Sequence, residues 1–307
     1  LIYQVADNGR LYQKYLGKKL NHDSDIQYLS QGTEAYLTHG MEDYFEPAIH
    51  IRHNDNNSSL LLKYVDHSSN AISNGVNETV ITLKDDKYPV TVKLHYVAYG
   101  KENIIRAFSE ISHEEKKPVI LCKYASSMLH LNSSKYFLTE FSGDWAHEGN
   151  VTERELAFGK KVIDTKLGAR ANMFVSPFFQ LALDNSSQEN AGEVLVGTIG
   201  WTGNFRFTFE VDNKNELRII SGINPYDSEY SLPAKEVFRT PDFYFTYSTQ
   251  GKGEASRNFH DWARNHQVKN GNDTRMTLLN NWESTYFDFD ENKLIGLMDE
   301  ATKLGVD

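Results

Sequence analysis

The chain has 307 residues, enough to bury a core and to form one large or two ordinary domains. Acidic residues outnumber basic ones by 42 to 32, and the net charge of −10 without a basic stripe excludes a general binder of nucleic acid or of anionic membranes. The single cysteine, Cys122, excludes an internal disulfide framework and is interpreted as a buried small hydrophobe. No apolar run reaches the ~18 residues that a membrane-spanning helix needs.

The first 250 residues predict strands almost throughout, because short aromatic and β-branched runs alternate with turn residues. In chain order the predicted strands are Leu1–Val5, Leu11–Leu16, Thr79–Leu83, Val90–Ala98, Ile104–Ile111, Val119–Leu131, Lys135–Phe141, Phe178–Leu183, Val194–Trp201, Phe205–Val211, Leu217–Gly222 and Phe243–Tyr247. No strand–helix–strand alternation interrupts them. The pattern therefore predicts a mainly β domain over residues 1–250, with large antiparallel sheets packed as a sandwich.

The pattern changes near residue 250. A helix is predicted over Glu254–His266, which makes residues 251–274 a helical linker. A strand over Met276–Trp282 and a helix over Asp290–Leu304 follow, the helix with Asp290 as N-cap and Gly305 as its C-terminal cap. A lone strand–helix pair cannot satisfy its own strand edges, so we expect residues 275–307 to begin an α/β domain that continues beyond them.

Familiar catalytic patterns are absent from the sequence. There is no HExxH pair, no Gly-x-Ser-x-Gly elbow and no Gly-rich phosphate loop, so neither a metal nor another cofactor is predicted. His50 and His53 stand three residues apart with Glu46 nearby, a spacing that allows a metal site. Pro47 and the strand-like surroundings favour a solvated sheet edge instead.

Two tryptophans lie in segments that suggest ligand binding. Trp282 belongs to the aromatic and polar segment Asn280–Glu291, which follows the predicted strand at its C-terminal end, where barrel enzymes place their active sites. An indole there can stack on a sugar ring while Asn and Asp groups bind hydroxyls. Trp145 lies in the polar loop Phe141–Glu148. The alternatives are a packed strand end for Trp282 and a loop anchor for Trp145.

Asn280–Glu291 reads N-N-W-E-S-T-Y-F-D-F-D-E and resembles the start of the catalytic barrel in the α-galactosidases of glycoside hydrolase family 36. The family motif is close to N-N-W-E-A-T-Y-F-D-F-N/D-E, and only Ser284 departs from it appreciably. Further similar segments occur in the family's order along the chain, and they are Tyr3–Val5 with Tyr15–Lys18, Phe141–Trp145, Gly200–Phe205, Gly222–Asp227, Thr240–Asp242 and Tyr247–Ser248.

The resemblance implies a β-supersandwich, a helical linker and the first β-α unit of a truncated (β/α)8 barrel. It implies a retaining enzyme that removes terminal α-linked galactose from oligosaccharides such as melibiose and raffinose, using two aspartates roughly 5 Å apart. Both aspartates belong to later barrel strands, so the resemblance implies no catalytic residue in this chain and no hydrolytic activity of these 307 residues alone.

Two residues match substrate-contacting positions of the family. Trp282 matches a barrel tryptophan that lines the galactose pocket. Trp145 matches a sandwich-loop tryptophan that reaches the substrate, often across an interface between copies, which implies a homo-oligomer formed through the sandwich. Glu283 and Asp288 are expected to orient the strand end rather than to act chemically.

The chain also departs from the family. Ala171–Phe178 lacks the histidine that members often carry there, and the early loop within Asn21–Tyr44 is shortened, so that Asp43 has no counterpart among substrate contacts. Two alternatives stay open: a non-catalytic carbohydrate-binding or oligomerisation module, and specificity for α-N-acetylgalactosamine. The resemblance is to microbial enzymes, and the compartment is left open between the cytoplasm and, if a signal peptide precedes Leu1, the periplasm or the medium.

Overall fold

The computed structural model describes residues 1–29, 32–41 and 45–306. Its strands are, in chain order, β1 (Ile2–Val5), β2 (Leu11–Tyr15), β3 (Thr33–Glu34), β4 (Ile49–Arg52), β5 (Leu62–Ser73), β6 (Val76–Asp85), β7 (Val90–Tyr99), β8 (Ile104–His113), β9 (Val119–Asn132), β10 (Tyr136–Ser142), β11 (Asn150–Glu155), β12 (Gly159–Asp164), β13 (Val175–Leu183), β14 (Val194–Gly200), β15 (Phe205–Val211), β16 (Glu216–Ile223), β17 (Tyr230–Leu232), β18 (Val237–Arg239) and β19 (Asp242–Ser248).

The helices among the described residues are fewer than the strands. They are α1 (Gly251–Trp262), α2 (Trp282–Thr285) and α3 (Glu291–Lys303), with 3-10 turns at Asp23–Tyr28 and Gly168–Arg170 and a π-helical turn at Ala263–Gln267. No helix in the described part of the chain is long and apolar enough to span a bilayer. The chain divides into two compact units, Leu1–Trp262 and Ala263–Asp307.

Three antiparallel sheets build the first unit. Among the described residues, β1, β2 and β3 form a small sheet, and the largest sheet has the order β11-β10-β13-β14-β19-β8-β7-β6-β5, with β18 also paired to β8. The third sheet has the order β12-β15-β16-β9-β17, with β4 also paired to β9. Strands that are neighbours in sequence often lie in different sheets, so the chain crosses repeatedly between the two large layers.

Phenylalanines fill the space between the two large sheets. Phe179 and Phe243 face Phe207 from the opposite sheet, with ring centroids 5.2 and 6.2 Å from that of Phe207, and all three are fully buried. Gly197 lies between Phe179 and Phe243 on the same sheet, where an added Cβ would come within 2.8 Å of both rings. The dense aromatic packing therefore needs a residue without a side chain at this position.

Helix α1 covers the outer face of the largest sheet. Ala255 of the helix packs with Ala182, Val194 and Val196 of β13 and β14. The helix begins at Gly251, three residues before the predicted start, because carbonyls of the loop between β13 and β14 accept its first N–H groups. The N–H groups of Gly251, Lys252 and Gly253 donate to the oxygens of residues 192, 188 and 189 at 2.9–3.0 Å.

The predicted mainly β architecture is confirmed, and each predicted strand of the first 250 residues is present within a few residues of its expected bounds. The predicted strands do not include β3, β4, β5, β11, β12, β17 and β18. These are short or solvent-exposed strands; all six residues of β11, for example, are exposed. A strand without a buried face lacks the alternation of apolar and polar residues from which strands are predicted.

Helix α3 agrees with its prediction, and Asp290 caps it by accepting a hydrogen bond from the Lys293 N–H at 2.8 Å. Gly305 follows in the left-handed region, with a φ of +80°. The prediction of a strand over Met276–Trp282 is wrong. Residues 276–281 have no regular secondary structure, and Trp282 begins α2. A strand needs a neighbouring strand for its hydrogen bonds, and none of the strand pairings among the described residues includes this segment.

Candidate functional site

The segment Asn280–Lys293 is organised by its own side chains. The Asn280 Oδ1 accepts a hydrogen bond from the Trp282 N–H at 2.9 Å, and the Asn281 Nδ2 donates to Thr285 Oγ1 at 2.9 Å. Asparagine side chains favour such local bonds to nearby groups, and here both lie at the start of the short helix α2. The polar residues that made this segment a candidate thus fix its backbone.

The Trp282 indole is held by two aromatic rings and remains accessible. Its ring centroid lies 5.6 Å from that of Tyr286 and 4.8 Å from that of Phe287, both in edge-to-face geometry. The side chain of Trp282 is 43% exposed. Tyr286 adopts a φ of +48°, an uncommon value for a residue with a side chain. The arrangement gives a fixed indole with a free surface, as a stacking contact requires.

Two acidic residues of this segment, Asp288 and Asp290, accept local hydrogen bonds. The Lys293 Nζ donates to the backbone oxygen of Asp288 at 2.7 Å and lies 3.3 Å from its carboxylate. Asp290 caps α3. Glu283 lies in the first turn of α2, where a negative charge suits the helix dipole. The orienting role expected for Glu283 and Asp288 stays a prediction.

Trp145 lies in the loop 143–149, which joins β10 to β11. The side chain is 84% exposed, so it is not a loop anchor packed on the sheet. Its backbone N–H donates to Asp144 Oδ1 at 2.7 Å, and the Gly143 N–H donates to the Phe174 oxygen at 2.9 Å. The loop thus presents an exposed indole on a hydrogen-bonded backbone. Trp145 belongs to the first unit of the chain and Trp282 to the second.

The two histidines whose spacing allowed a metal site, His50 and His53, contact different residues. His50 stacks on His39, with ring centroids 3.9 Å apart, while His53 is buried and its Nδ1 lies 2.6 Å from Glu115 Oε1. The solvated edge expected here therefore does not extend to His53. No group of three or more metal-ligating side chains occurs among the residues the structure describes.

Glu46 forms ion pairs with two lysines of the sandwich. Its carboxylate bonds Lys123 Nζ at 2.6 Å and Lys160 Nζ at 2.5 Å. Burial acts to raise the pKa of Glu46, but the two lysines outweigh it and hold that pKa at about 2.

Cys122 is half-buried, and burial raises the pKa of its thiol, which is the opposite of what a reactive cysteine needs. Asp43 lies outside the described residues.

Comparison with known proteins identifies the class. The model of the glycosyl hydrolase family 36 N-terminal domain matches residues 9–233, and the model named Melibiase matches residues 237–307. The chain belongs to glycosyl hydrolase family 36.

Its relatives are α-galactosidases. Alpha-galactosidase Mel36A of Lactobacillus acidophilus is 26% identical over an alignment covering 100% of this chain and 47% of the relative. Alpha-galactosidase AgaA of Geobacillus stearothermophilus is 28% identical over 89% of this chain and 40% of the relative. The crystal structure of an AgaA variant in complex with raffinose superposes with a TM-score of 0.90 and 25% identity, covering 99% of this chain and 47% of that one. The chain thus spans less than half the length of the relatives it matches.

Proposed function

We propose that this chain is the N-terminal part of a retaining α-galactosidase that hydrolyses terminal α-linked galactose from oligosaccharides such as melibiose and raffinose. The observation that carries the proposal is the match to both family models along one continuous chain, together with 26–28% identity to curated α-galactosidases. The two carboxylates that retaining chemistry requires are expected on barrel strands after residue 307.

Activity with a chromogenic substrate tests the proposal. The 307-residue chain and the complete gene product that contains it would be assayed with 4-nitrophenyl α-galactoside. We expect turnover by the complete product only, with retained anomeric configuration by proton NMR. Turnover by the 307-residue chain, or none by the complete product, would contradict the proposal, and in the second case glycan binding alone would favour the non-catalytic module. A parallel assay with the α-N-acetylgalactosaminide decides which sugar is preferred.

Trp282 is proposed to line the galactose pocket. Its half-exposed indole, held edge-to-face by Tyr286 and Phe287, offers a surface for the apolar side of a sugar ring. In the complete product, Trp282→Ala is expected to lower kcat/KM at least about tenfold, or about 1.4 kcal/mol. Trp282→Phe keeps an aromatic face, so its kcat/KM should fall less than that of the alanine variant. Equal kcat/KM for the alanine variant and the parent would exclude the contact.

Trp145 is proposed to contact substrate from the sandwich, in an assembly of copies formed through that domain. The supporting observation is its 84% exposure on a hydrogen-bonded loop. Trp145→Ala in the complete product should raise KM and leave folding unchanged, because the indole has little packing to lose. Sedimentation velocity on both proteins measures the assembly state. A strictly monomeric complete product would remove the oligomer from the proposal.

A further inference from the structure

Four loops meet at the end of the sandwich that carries Trp145. Residues 143–149 follow β10 and residues 201–204 follow β14, while residues 165–174 join β12 to β13 and residues 224–229 join β16 to β17. The strand registers place these loops together: Ser142 pairs with Val175 and with Asn150, and Phe205 pairs with Ile223. The loops 165–174 and 201–204 cross between the two large sheets, so both layers contribute to this end.

This end of the sandwich exposes large apolar side chains. We call them the end-face cluster, and the exposed fractions of its members are Trp145 84%, Leu167 44%, Met173 39%, Phe174 43%, Trp201 41% and Tyr226 60%. Single exposed apolar residues need no explanation, but several gathered on one face mark a binding surface.

Hydrogen bonds between the loops hold this surface in place. The Gly168 N–H donates to Asn204 Oδ1 at 2.7 Å, and the Asn224 N–H donates to the Asn204 oxygen at 3.0 Å. The fully buried Asn224 side chain also donates to the Thr165 oxygen at 2.9 Å. Together with the bond from Gly143 to Phe174, these contacts tie all four loops to one another. The cluster therefore stands on a preorganised backbone, which lowers the entropy cost of binding.

The residue types point to a sugar ligand. Trp201 packs against its own turn, where a Cβ on Gly203 would come within 2.8 Å of the indole Nε1, and Lys166 Nζ lies 4.6 Å from the centre of the Tyr226 ring. Aromatic faces interspersed with hydrogen-bonding groups such as Asp144 and Arg170 suit carbohydrate, whose rings have an apolar side and polar edges. Two strand spacings separate the loops of Trp145 and Trp201, about 10 Å. An oligosaccharide of several rings spans that distance and a single sugar does not.

We infer that the end-face cluster is an oligosaccharide-binding surface in which Trp201 and Tyr226 extend the platform of Trp145 and contact the sugars beyond the terminal galactose. The inference rests on the proposed function for the nature of the sugar, and it concerns residues for which that proposal names no role. It makes Trp201 and Tyr226 determinants of preference for long over short substrates.

Calorimetric titration of the 307-residue chain with galactose, raffinose and stachyose tests the surface without catalysis. We expect both oligosaccharides to bind more tightly than galactose, and Trp201→Ala and Tyr226→Ala each to weaken stachyose binding about tenfold, which is about 1.4 kcal/mol. Phe158→Ala is the matched control, because Phe158 is 77% exposed between β11 and β12 at the opposite end of the sandwich. It should bind as the parent does. Thermal melts check that each variant folds. If Trp201→Ala does not fold, the stachyose affinity of Tyr226→Ala tests the inference.

The outcomes separate this inference from the proposed function. Equal stachyose affinity for the parent and both cluster variants, or equal affinity for galactose and stachyose, overturns the inference even if the complete product is an active α-galactosidase. Loss of self-association in the cluster variants without a change in stachyose affinity assigns the face to an interface between copies and overturns it as well. In an active complete product, Tyr226→Ala should lower kcat/KM for stachyose by a larger factor than that for 4-nitrophenyl α-galactoside.

Discussion

Glu46 binds together strands that are distant in sequence, because it joins Lys123 of β9 to Lys160 of β12. Its backbone N–H also donates to Glu210 Oε2 at 3.0 Å. Lys123 is only 15% exposed, so the loss of the carboxylate would leave a nearly buried ammonium without its partner. Unpaired buried charge is the expensive outcome, more so than loss of the pair as a whole.

We expect Glu46 to contribute to acid sensitivity below pH 4.5. Its pKa falls from 4.5 to about 2 on folding, so its stabilisation is complete above pH 4.5 and is lost as the pH falls toward 2. Because the side chain is 31% exposed, we expect a loss on the order of 1 kcal/mol between pH 7 and pH 3. Urea unfolding of the parent and of Glu46→Gln across this range measures it. Parallel pH curves for the two proteins would contradict the prediction.

His130 responds to acid in a different pH range. Burial, and then the nearby charge of Arg218, lower the pKa of His130 from 6.5 to about 3. The folded chain therefore binds fewer protons than the unfolded chain between these values, and stability falls as the pH drops from 6.5 toward 3. We expect a loss of about 2 kcal/mol by pH 5, absent in a His130→Gln variant that folds. If both proteins lose the same stability between pH 7 and pH 5, His130 is not the group responsible.

At the scale of secondary structure, the start of α1 depends on Gly251. Its φ is +79°, and an added Cβ would lie 2.5 Å from the Gln188 oxygen and 2.7 Å from the Ala191 nitrogen. Gly75 has nearly the same φ, +78°, but nothing within 4 Å of an added Cβ. The two glycines share the backbone requirement and differ only in the space available.

The pair separates backbone strain from steric clash. Gly75→Ala should cost about 1 kcal/mol, the cost of the left-handed conformation alone, whereas Gly251→Ala should cost about 3 kcal/mol or more because the loop carbonyls must also move. Urea unfolding measures both variants. Equal losses would show that the loop yields to the methyl group without cost.

The sequence predicted those strands that have one face buried, because burial imposes a readable alternation. Five of the seven residues of β14 are buried, and because both of its faces are covered it was predicted from a largely apolar run rather than from alternation. The polar strand β5 has nine consecutive exposed residues, and it is held only by pairing with β6, a contact that no local pattern records. Pairing partners, unlike burial, are distant in sequence.

The candidate site divides in the same way. Trp145 stood out because a tryptophan in a polar loop is unusual, and in the structure its side chain is exposed. Trp201 and Tyr226 lie in ordinary turns, and their sequence neighbours gave no reason to single them out. Only the strand registers show that their turns share one end of the sandwich with Trp145, so topology was the missing information.

At the scale of the whole molecule, the second unit carries much exposed apolar surface. Met276, Leu278, Phe287 and Leu304 are each more than 80% exposed. Surface of this kind on an isolated chain favours association, because copies bury one another's apolar side chains.

We therefore expect the 307-residue chain to self-associate at micromolar concentration in static light scattering. A Leu278→Glu, Leu304→Glu double variant should associate less, because each glutamate makes burial of its position costly. Tyr28→Glu, at an 81% exposed position in the first unit, is the control and should leave association unchanged. A parent chain that scatters as a monomer at all concentrations would contradict the prediction.

The carbonyl groups that start α1 have a practical consequence for dissecting the molecule. The first N–H groups of the helix donate to carbonyl oxygens of residues 188–192. Its last residue, Trp262, packs on Tyr99 and Tyr244 of the sandwich, with ring centroids 5.9 and 4.6 Å away. A cut placed where the strands end, at residue 250, would strip this covering layer and uncover Val194 and Val196. An expression boundary placed after Trp262 keeps the layer whole, so a sandwich intended for crystallisation or glycan screening should include the helix.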